Sequence, residues 1–208
     1  MSASRPSVLV VHGLWMNGLE THWLRQRLEA RGFAPRAFSY RSLHADLPEV
    51  VIALEAQVRA LPPPVHVVGH SLGGLMLLAL FERVADLPEG RVVLLGSPVC
   101  GSCAATAVSR WPIGPAVLGR LALQELVGER QRAWSQPRDH GVIAGCTSAG
   151  MVRFVSALPE PNDGTVAVEE TRISGVKEHL VLPVTHTGML FSGEVAERSA
   201  RFLESGQF

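Results

Sequence analysis

The sequence predicts a three-layer α/β fold with a mostly parallel six-stranded sheet and a minimal cap or none. Three observations carry this prediction. Short apolar runs alternate with helical segments along the whole chain. These runs are continuous rather than alternating, which is typical of strands buried on both faces of a parallel sheet. One run ends in a turn of small residues and continues at once into an apolar helix. Such an order implies right-handed crossovers between the strands.

The 208 residues fit one domain, spanning 1–208, with enough chain to bury a substantial core. Apolar residues make up 47% and charged residues 18%, a balance that indicates a compact soluble protein and argues against disorder. The formal net charge is zero and no basic run occurs, so nucleic acid is not an expected partner. No apolar run reaches the length of a membrane span.

The segment 1–6 leads directly into a core-like strand, so we expect no signal peptide and a cytoplasmic protein. Three cysteines fit that compartment. Cys100 and Cys103 have the spacing of a metal or redox pair, but a zinc site needs a second ligand pair and none is evident. We therefore expect small loop residues and no metal there, while the role of these cysteines and the oligomeric state stay open.

The first half of the chain predicts three strand–helix units. Gly32 closes the first helix, Pro48 suits the first turn of the second, and the prolines at 62–64 end it. The predicted strands are 8–11, a marginal 35–40 and 65–68, and the predicted helices are 20–30, 47–61 and 75–84.

The second half predicts three more strands, at 91–95, 142–146 and 180–184, and a closing amphipathic helix at 193–204. Between the fourth and fifth strands the pattern is less regular, with a breaker cluster at 111–115 and a helix at 116–127. Because that helix is needed to cover the sheet, only the short rim at 111–115, stiffened by two prolines, remains above it. We therefore expect an open, shallow edge without a mobile lid.

The turn Gly69-His70-Ser71-Leu72-Gly73 follows the third strand and opens an apolar helix. Small residues at 69 and 73 let strand and helix approach closely and hold Ser71 in strained backbone geometry. The strain lifts the serine hydroxyl out of the turn, and the helix N-terminus favours developing negative charge there. We interpret Ser71 as a catalytic nucleophile; the alternative is a plain glycine-rich turn.

A serine hydroxyl is a weak nucleophile and needs a base that a carboxylate orients. In sheets with this type of turn, the acid and then a histidine follow the serine in the chain. His186 comes directly after the sixth strand, at the sheet edge where such folds place their chemistry. His140 and His179 precede strands and are expected at the opposite edge. His186 is therefore the predicted base, with a structural loop histidine as the alternative.

Asp163 is the predicted acid, because its Asn-Asp-Gly turn after the fifth strand can present the carboxylate rigidly. Aspartate is also a common plain turn residue. Glu160 in the same loop is the second choice, and Asp139, before the fifth strand, is the third. The loop after the fourth strand offers no acid, since neither Asp nor Glu occurs from 90 to 124.

A tetrahedral intermediate needs two backbone N–H donors. We assign them to Leu72, which follows the nucleophile, and to Leu14 in the loop after the first strand. His12 is expected to support that loop rather than act as a base, and His70 to pack within the turn. Four apolar side chains either line an acyl pocket or belong to the ordinary core: Trp15, Met16, Trp111 and Ile113.

Four segments together resemble the α/β-hydrolase family: residues 11–13, 69–73, 162–164 and 185–188. The compact size and the end segment 186–192 look more narrowly like small, nearly lid-less lipases of the Bacillus type. The resemblance implies a six-stranded α/β-hydrolase sheet and hydrolysis of a small-molecule ester through an acyl-enzyme, without metal or organic cofactor. A thioesterase or amidase using the same triad, and a catalytically silent binding protein of this fold, are the alternatives.

Overall fold

The computed structural model describes residues 5–149 and 158–208. Residues 1–4, which belong to the segment where no signal peptide is expected, and residues 150–157 lie outside the described chain. The strands are β1 Ser7–Val11, β2 Ala34–Phe38, β3 Val65–His70, β4 Val92–Leu95, β5 His140–Gly145 and β6 Glu178–Leu182. The helices are α1 His22–Ala30, α2 Leu47–Ala60, α3 Leu72–Arg83, α4 Cys103–Ser109, α5 Gly114–Leu126 and α6 Gly193–Ser205, with 3₁₀ turns at Leu19–Thr21, Glu169–Thr171 and Thr187–Phe191.

The six strands of the described chain are all parallel and lie in the order β2-β1-β3-β4-β5-β6. The register pairs Val11 of β1 with Gly69 of β3, and Gly69 with Leu94 of β4. Because parallel strands run in one direction, the loops that follow them all leave from the same edge of the sheet. This carboxyl edge therefore collects the segments in which the sequence places its candidate functional residues.

Helices cover both faces of the sheet and complete three layers. The helices α2, α3 and α5 pack on the face that receives Leu9 and Val11 of β1. The helices α1 and α6 pack on the opposite face, against Val8 and Val10. Alternate residues of one strand thus enter two different cores, which explains why the strands are apolar without interruption.

The predicted elements agree with the structure in order and type but differ in some bounds. The helix α4 lies where the sequence indicates only irregular chain; its N-cap is Ser102, whose hydroxyl accepts a hydrogen bond from the Ala105 amide. The fifth and sixth strands begin earlier than predicted, at His140 and Glu178. His140 and His179 therefore lie within strands rather than before them. No helix of the described chain is long and apolar enough to cross a membrane.

The helix α5 is broken at Gly119, whose φ of 73° and ψ of 171° are not helical. A Cβ atom at this position would lie 2.5 Å from the carbonyl oxygen of Leu43, so glycine lets α5 approach the loop after β2. Buried Leu118 before the break, and Leu121 and Leu126 after it, anchor the helix in the core. The helix covers the sheet, as the sequence predicts.

Candidate active site

Ser71 occupies a sharp turn between β3 and α3. Its φ of 53° and ψ of −125° are rarely adopted by a residue other than glycine. Two backbone hydrogen bonds hold the turn: the Ser71 amide donates to the Leu95 carbonyl at 2.9 Å, and the Gly74 amide donates to the Ser71 carbonyl at 3.0 Å. The serine is therefore fixed at the carboxyl edge of the sheet, at the start of a helix.

Glycines at 69 and 73 make this turn possible. A Cβ atom on Gly69 would lie 2.5 Å from the Cα atom of Gly74. A Cβ atom on Gly73 would lie 2.4 Å from the carbonyl oxygens of both Val11 and His12. Since real Cβ atoms do not approach so closely, α3 packs on β1 and β3 through its bare backbone.

Asp163 is buried, with 1% of its surface exposed. Its Oδ1 atom accepts hydrogen bonds from the amides of Thr165 and Val166, at 2.9 and 2.7 Å. Its Oδ2 atom lies 2.8 Å from Nδ1 of His186. The turn thus directs one carboxylate oxygen to the histidine and anchors the other. Glu160, the second choice for the acid, is exposed.

His186 lies in the turn after β6, immediately before the 3₁₀ turn at Thr187–Phe191. Its amide donates to the Asp163 carbonyl at 2.9 Å, so the two residues are joined through both backbone and side chain. Since Nδ1 faces a carboxylate, we assign the proton to Nδ1, which leaves Nε2 as the acceptor. This tautomer is the one that a general base requires.

Ser71 and His186 are brought together by the backbone segments in which they lie, not by a hydrogen bond between their side chains. Within residues 5–149 and 158–208, no hydrogen bond joins the Ser71 hydroxyl to His186. Gly96 lies between the two. A Cβ atom at Gly96 would lie 3.2 Å from both Asp163 Oδ2 and His186 Nδ1. The preceding residue, Leu95, accepts the hydrogen bond of the Ser71 amide with its carbonyl. Catalytic hydrogen bonds are commonly loose before substrate binds.

The amides of Leu14 and Leu72 are both available at this edge. Neither donates a hydrogen bond to another group of the described chain. Leu72 is the first residue of α3, so its amide has no intrahelical acceptor. Its side chain is fully buried, while that of Leu14 packs partly buried on the same core.

His12 supports the loop that contains Leu14. Its Nδ1–H donates to the Gly13 carbonyl at 2.8 Å, and its Nε2 accepts the Tyr40 amide at 3.2 Å. The ring is fully buried and stacks on Tyr40, with ring centroids 4.5 Å apart. Burial lowers the pKa of His12, so the ring is neutral, and both of its nitrogens already take part in hydrogen bonds. The arrangement agrees with a supporting role.

His70 has a role that the sequence does not reveal. Its Nε2–H donates to the His186 carbonyl at 3.0 Å, and the two rings lie 4.8 Å apart. Burial lowers the pKa of His70 to about 3, so it stays neutral and keeps this donor. Its Nδ1 atom has no hydrogen-bond partner in the described chain. Because residues 70 and 186 lie far apart in the chain, no local sequence pattern predicts this contact.

The four apolar side chains lie in different surroundings. Trp15 is 60% exposed, and its indole Nε1–H donates to the Val117 carbonyl of α5 at 2.8 Å. Trp111 and Ile113 are exposed in the turn between α4 and α5. Met16 packs against the core under α1 and α6. Three of the four therefore remain accessible to a substrate, and lining an acyl pocket stays a prediction.

All three cysteines are free. Burial raises the pKa of the thiols of Cys100 and Cys103, which makes both weaker nucleophiles. Cys100 Sγ donates to the Arg172 carbonyl at 3.0 Å. The described residues contain no group of three or more His, Cys, Asp or Glu that could hold a metal ion.

A cleft of about 820 Å³ lies at the amino edge of the sheet and is lined by charged residues. Its Arg91 pairs with Asp139 at 3.1 Å, and its Arg138 donates to the carbonyls of Leu87 and Pro88. Asp139, the third choice for the acid, lines this cleft, whereas Ser71, Asp163 and His186 do not.

A parallel sheet in this order, with a strained serine turn between its third strand and the following helix, defines an α/β hydrolase. A family model described as the alpha/beta hydrolase family matches residues 8–198. The chain belongs to this family.

Solved structures show the same architecture. The mature Bacillus licheniformis lipase BlEst2 is 16% identical, with a TM-score of 0.71 over 100% of this chain and 94% of the lipase. A pyrethroid hydrolase of Sphingobium faniae is 16% identical, with a TM-score of 0.58 over 96% of this chain and 98% of its own. The RedJ thioesterase of Streptomyces coelicolor is 15% identical, with a TM-score of 0.58 over 97% of this chain and 90% of the thioesterase. At such identities the likeness establishes the fold alone. No curated protein sequence matches.

Proposed function

We propose that the protein is a serine hydrolase that cleaves carboxylic esters through an acyl-enzyme, with Ser71 as nucleophile, His186 as base and Asp163 as acid. One observation carries the proposal: buried Asp163 accepts the Nδ1–H of His186 at 2.8 Å, at the edge where the strained Ser71 turn emerges. A buried carboxylate that both fixes the tautomer of a histidine and is itself anchored by two amides is the arrangement that general-base catalysis needs.

In the first step, the Ser71 Oγ atom attacks the acyl carbonyl carbon, and His186 Nε2 takes the hydroxyl proton. The imidazolium that forms donates its Nδ1–H to Asp163, which remains ionised. The carbonyl π pair moves onto oxygen and is stabilised by the amides of Leu14 and Leu72. When the intermediate collapses, the ester C–O bond breaks and His186 gives its proton to the leaving alcohol.

In the second step, His186 removes a proton from water, and the hydroxide attacks the acyl carbon bonded to Ser71. The same two amides stabilise the second tetrahedral intermediate. Its collapse releases the carboxylic acid and returns the proton to the Ser71 oxygen. The mechanism needs neither a metal nor an organic cofactor.

A thioesterase is the second candidate, because the fold is shared with the RedJ thioesterase and the same triad cleaves either acyl bond. Parallel measurement of kcat/KM on an oxygen ester and a thioester with the same acyl group separates the two. A panel of esters graded by acyl length then defines the substrate.

The proposed function is tested with Ser71→Ala. Turnover of a soluble aryl ester should fall at least about 10³-fold, and a fluorophosphonate probe should label the wild type at Ser71 but not the variant. Ser199→Ala is the matched control, because that serine is also buried but lies in the middle of α6. Wild-type turnover in Ser71→Ala would exclude a serine mechanism at this turn. A probe-reactive but ester-inactive wild type would redirect the search to other acyl bonds.

A further inference from the structure

Trp15 follows the candidate oxyanion donor Leu14 and has an unusual backbone. Its φ of 59° lies in the left-handed region that residues other than glycine rarely adopt. Its side chain is 60% exposed, so burial of the ring does not hold the residue in this conformation. Specific hydrogen bonds must do so instead.

Two hydrogen bonds tie Trp15 to neighbouring segments. Its indole N–H donates to the Val117 carbonyl at 2.8 Å, and its backbone N–H donates to the hydroxyl of buried Ser42 at 3.2 Å. Ser42 belongs to the loop after β2, and Val117 to the first part of α5. A single residue thus joins three segments at the carboxyl edge.

The Val117 carbonyl is available because α5 is broken at Gly119. A non-helical residue at 119 interrupts the ladder of i→i−4 hydrogen bonds, so carbonyls in the preceding turn lose their intrahelical donors. The glycine is in turn required by the contact with Leu43. The break in the helix and the tryptophan tether therefore form one structural unit.

We propose that Trp15 is a positioning residue for the oxyanion hole: its indole tether to α5 holds the Leu14 amide where negative charge develops. This inference rests on the proposed ester hydrolysis. The Leu14–Trp15 peptide is planar and its N–H is fixed at Ser42, so only the two backbone torsions of Leu14 remain to orient the Leu14 amide. A donor fixed in advance needs no reorganisation when the transition state forms.

The test is Trp15→Phe, which keeps an aromatic side chain and the backbone N–H that donates to Ser42 but removes the indole N–H. With a soluble aryl ester, kcat should fall about five- to tenfold while KM changes less than twofold. The affinity for a trifluoromethyl ketone, which forms an oxyanion on Ser71, should fall by the same factor. The affinity for the neutral alcohol product should stay unchanged, because that ligand carries no oxyanion.

Trp134→Phe is the matched control. It removes the same type of hydrogen bond, from an indole to the Arg138 carbonyl at 2.9 Å, away from the catalytic edge. It should lower the Tm while kcat and ketone affinity stay at the wild-type values. Wild-type kcat and ketone affinity in Trp15→Phe, or a change in KM alone, would overturn the proposal. Full turnover in Ser71→Ala would instead refute the underlying hydrolase mechanism, whatever Trp15→Phe does.

Discussion

At the scale of single residues, His186 is held through its side chain and through both ends of its backbone. Asp163 accepts its ring Nδ1–H and its amide, and His70 donates to its carbonyl. These hydrogen bonds are buried or partly buried. A buried donor or acceptor without a partner costs about 1–3 kcal/mol, so breaking any of them is unfavourable. The proposed base therefore has little freedom to rotate, which is a form of preorganisation.

Asp163→Asn should lower kcat by about 10³–10⁴-fold with little change in KM, because an amide neither stabilises the imidazolium nor selects the required tautomer. Steady-state kinetics on a soluble ester measure the effect. Glu160→Gln is the matched control: Glu160 lies three residues earlier and is exposed, so its activity should equal that of the wild type. If Glu160→Gln proved the more damaging of the two, the acid would be wrongly assigned.

The sequence predicts candidates for the residues that a chemical reaction demands, and the supporting role of His12, but not the supporting contacts of His70 and Trp15. The serine turn and the order of acid and histidine lead to Ser71, Asp163 and His186 as the candidate triad without coordinates. The contacts of His70 with His186 and of Trp15 with Val117 span 116 and 102 residues. Such contacts depend on how β1, β3 and α5 meet in space, and no local pattern records that.

At the scale of elements, the junction of β3 and α3 positions the candidate nucleophile Ser71. The two elements meet through glycines, whereas most helices of the protein pack through side chains. The strands could be predicted because each is continuously apolar and buried on both faces. The short helix α4 could not, because it has only seven residues and a small-residue sequence without a clear apolar period.

Gly73→Ala should destabilise the protein by about 3 kcal/mol, because the added Cβ would lie 2.4 Å from two backbone carbonyl oxygens that cannot move without distorting β1. Urea unfolding measures the change. Gly193→Ala is the control: no atom lies within 4 Å of a Cβ atom there, so the free energy of unfolding should change by less than about 0.5 kcal/mol. Equal stability of the two variants would refute the close packing of this junction.

At the scale of the whole molecule, buried histidines make stability depend on pH, and three of them have the most strongly lowered pKa values. Burial lowers the pKa of His66 to about 4, and those of His70 and His140 to about 3. In the unfolded chain each has a pKa near 6.5. As the pH falls below 6.5, only the unfolded chain takes up these protons, so the folded state loses stability down to about pH 3–4.

The free energy of unfolding should therefore decrease between pH 7.5 and pH 5, by about 2 kcal/mol for each of the three histidines. Urea unfolding across this range measures the slope. His140→Phe should reduce the decrease by about 2 kcal/mol, because both ring nitrogens of His140 lack a partner in the described chain and the ring packs on Trp134. Exposed His22→Asn is the control and should leave the slope unchanged. A flat profile in the wild type would contradict the prediction.

The contact of bare backbone at Gly69 and Gly73 has a consequence for evolution. Main-chain atoms are the same in every residue, so this contact makes no demand on the side chains of β1 and requires of β3 only that residue 69 be glycine. The Ser71 turn can persist with a few small residues while the cores around it are replaced. Solved structures that share 16% of the sequence still share the architecture over almost the whole chain. The loops at the carboxyl edge are thereby free to diverge while the turn stays unchanged.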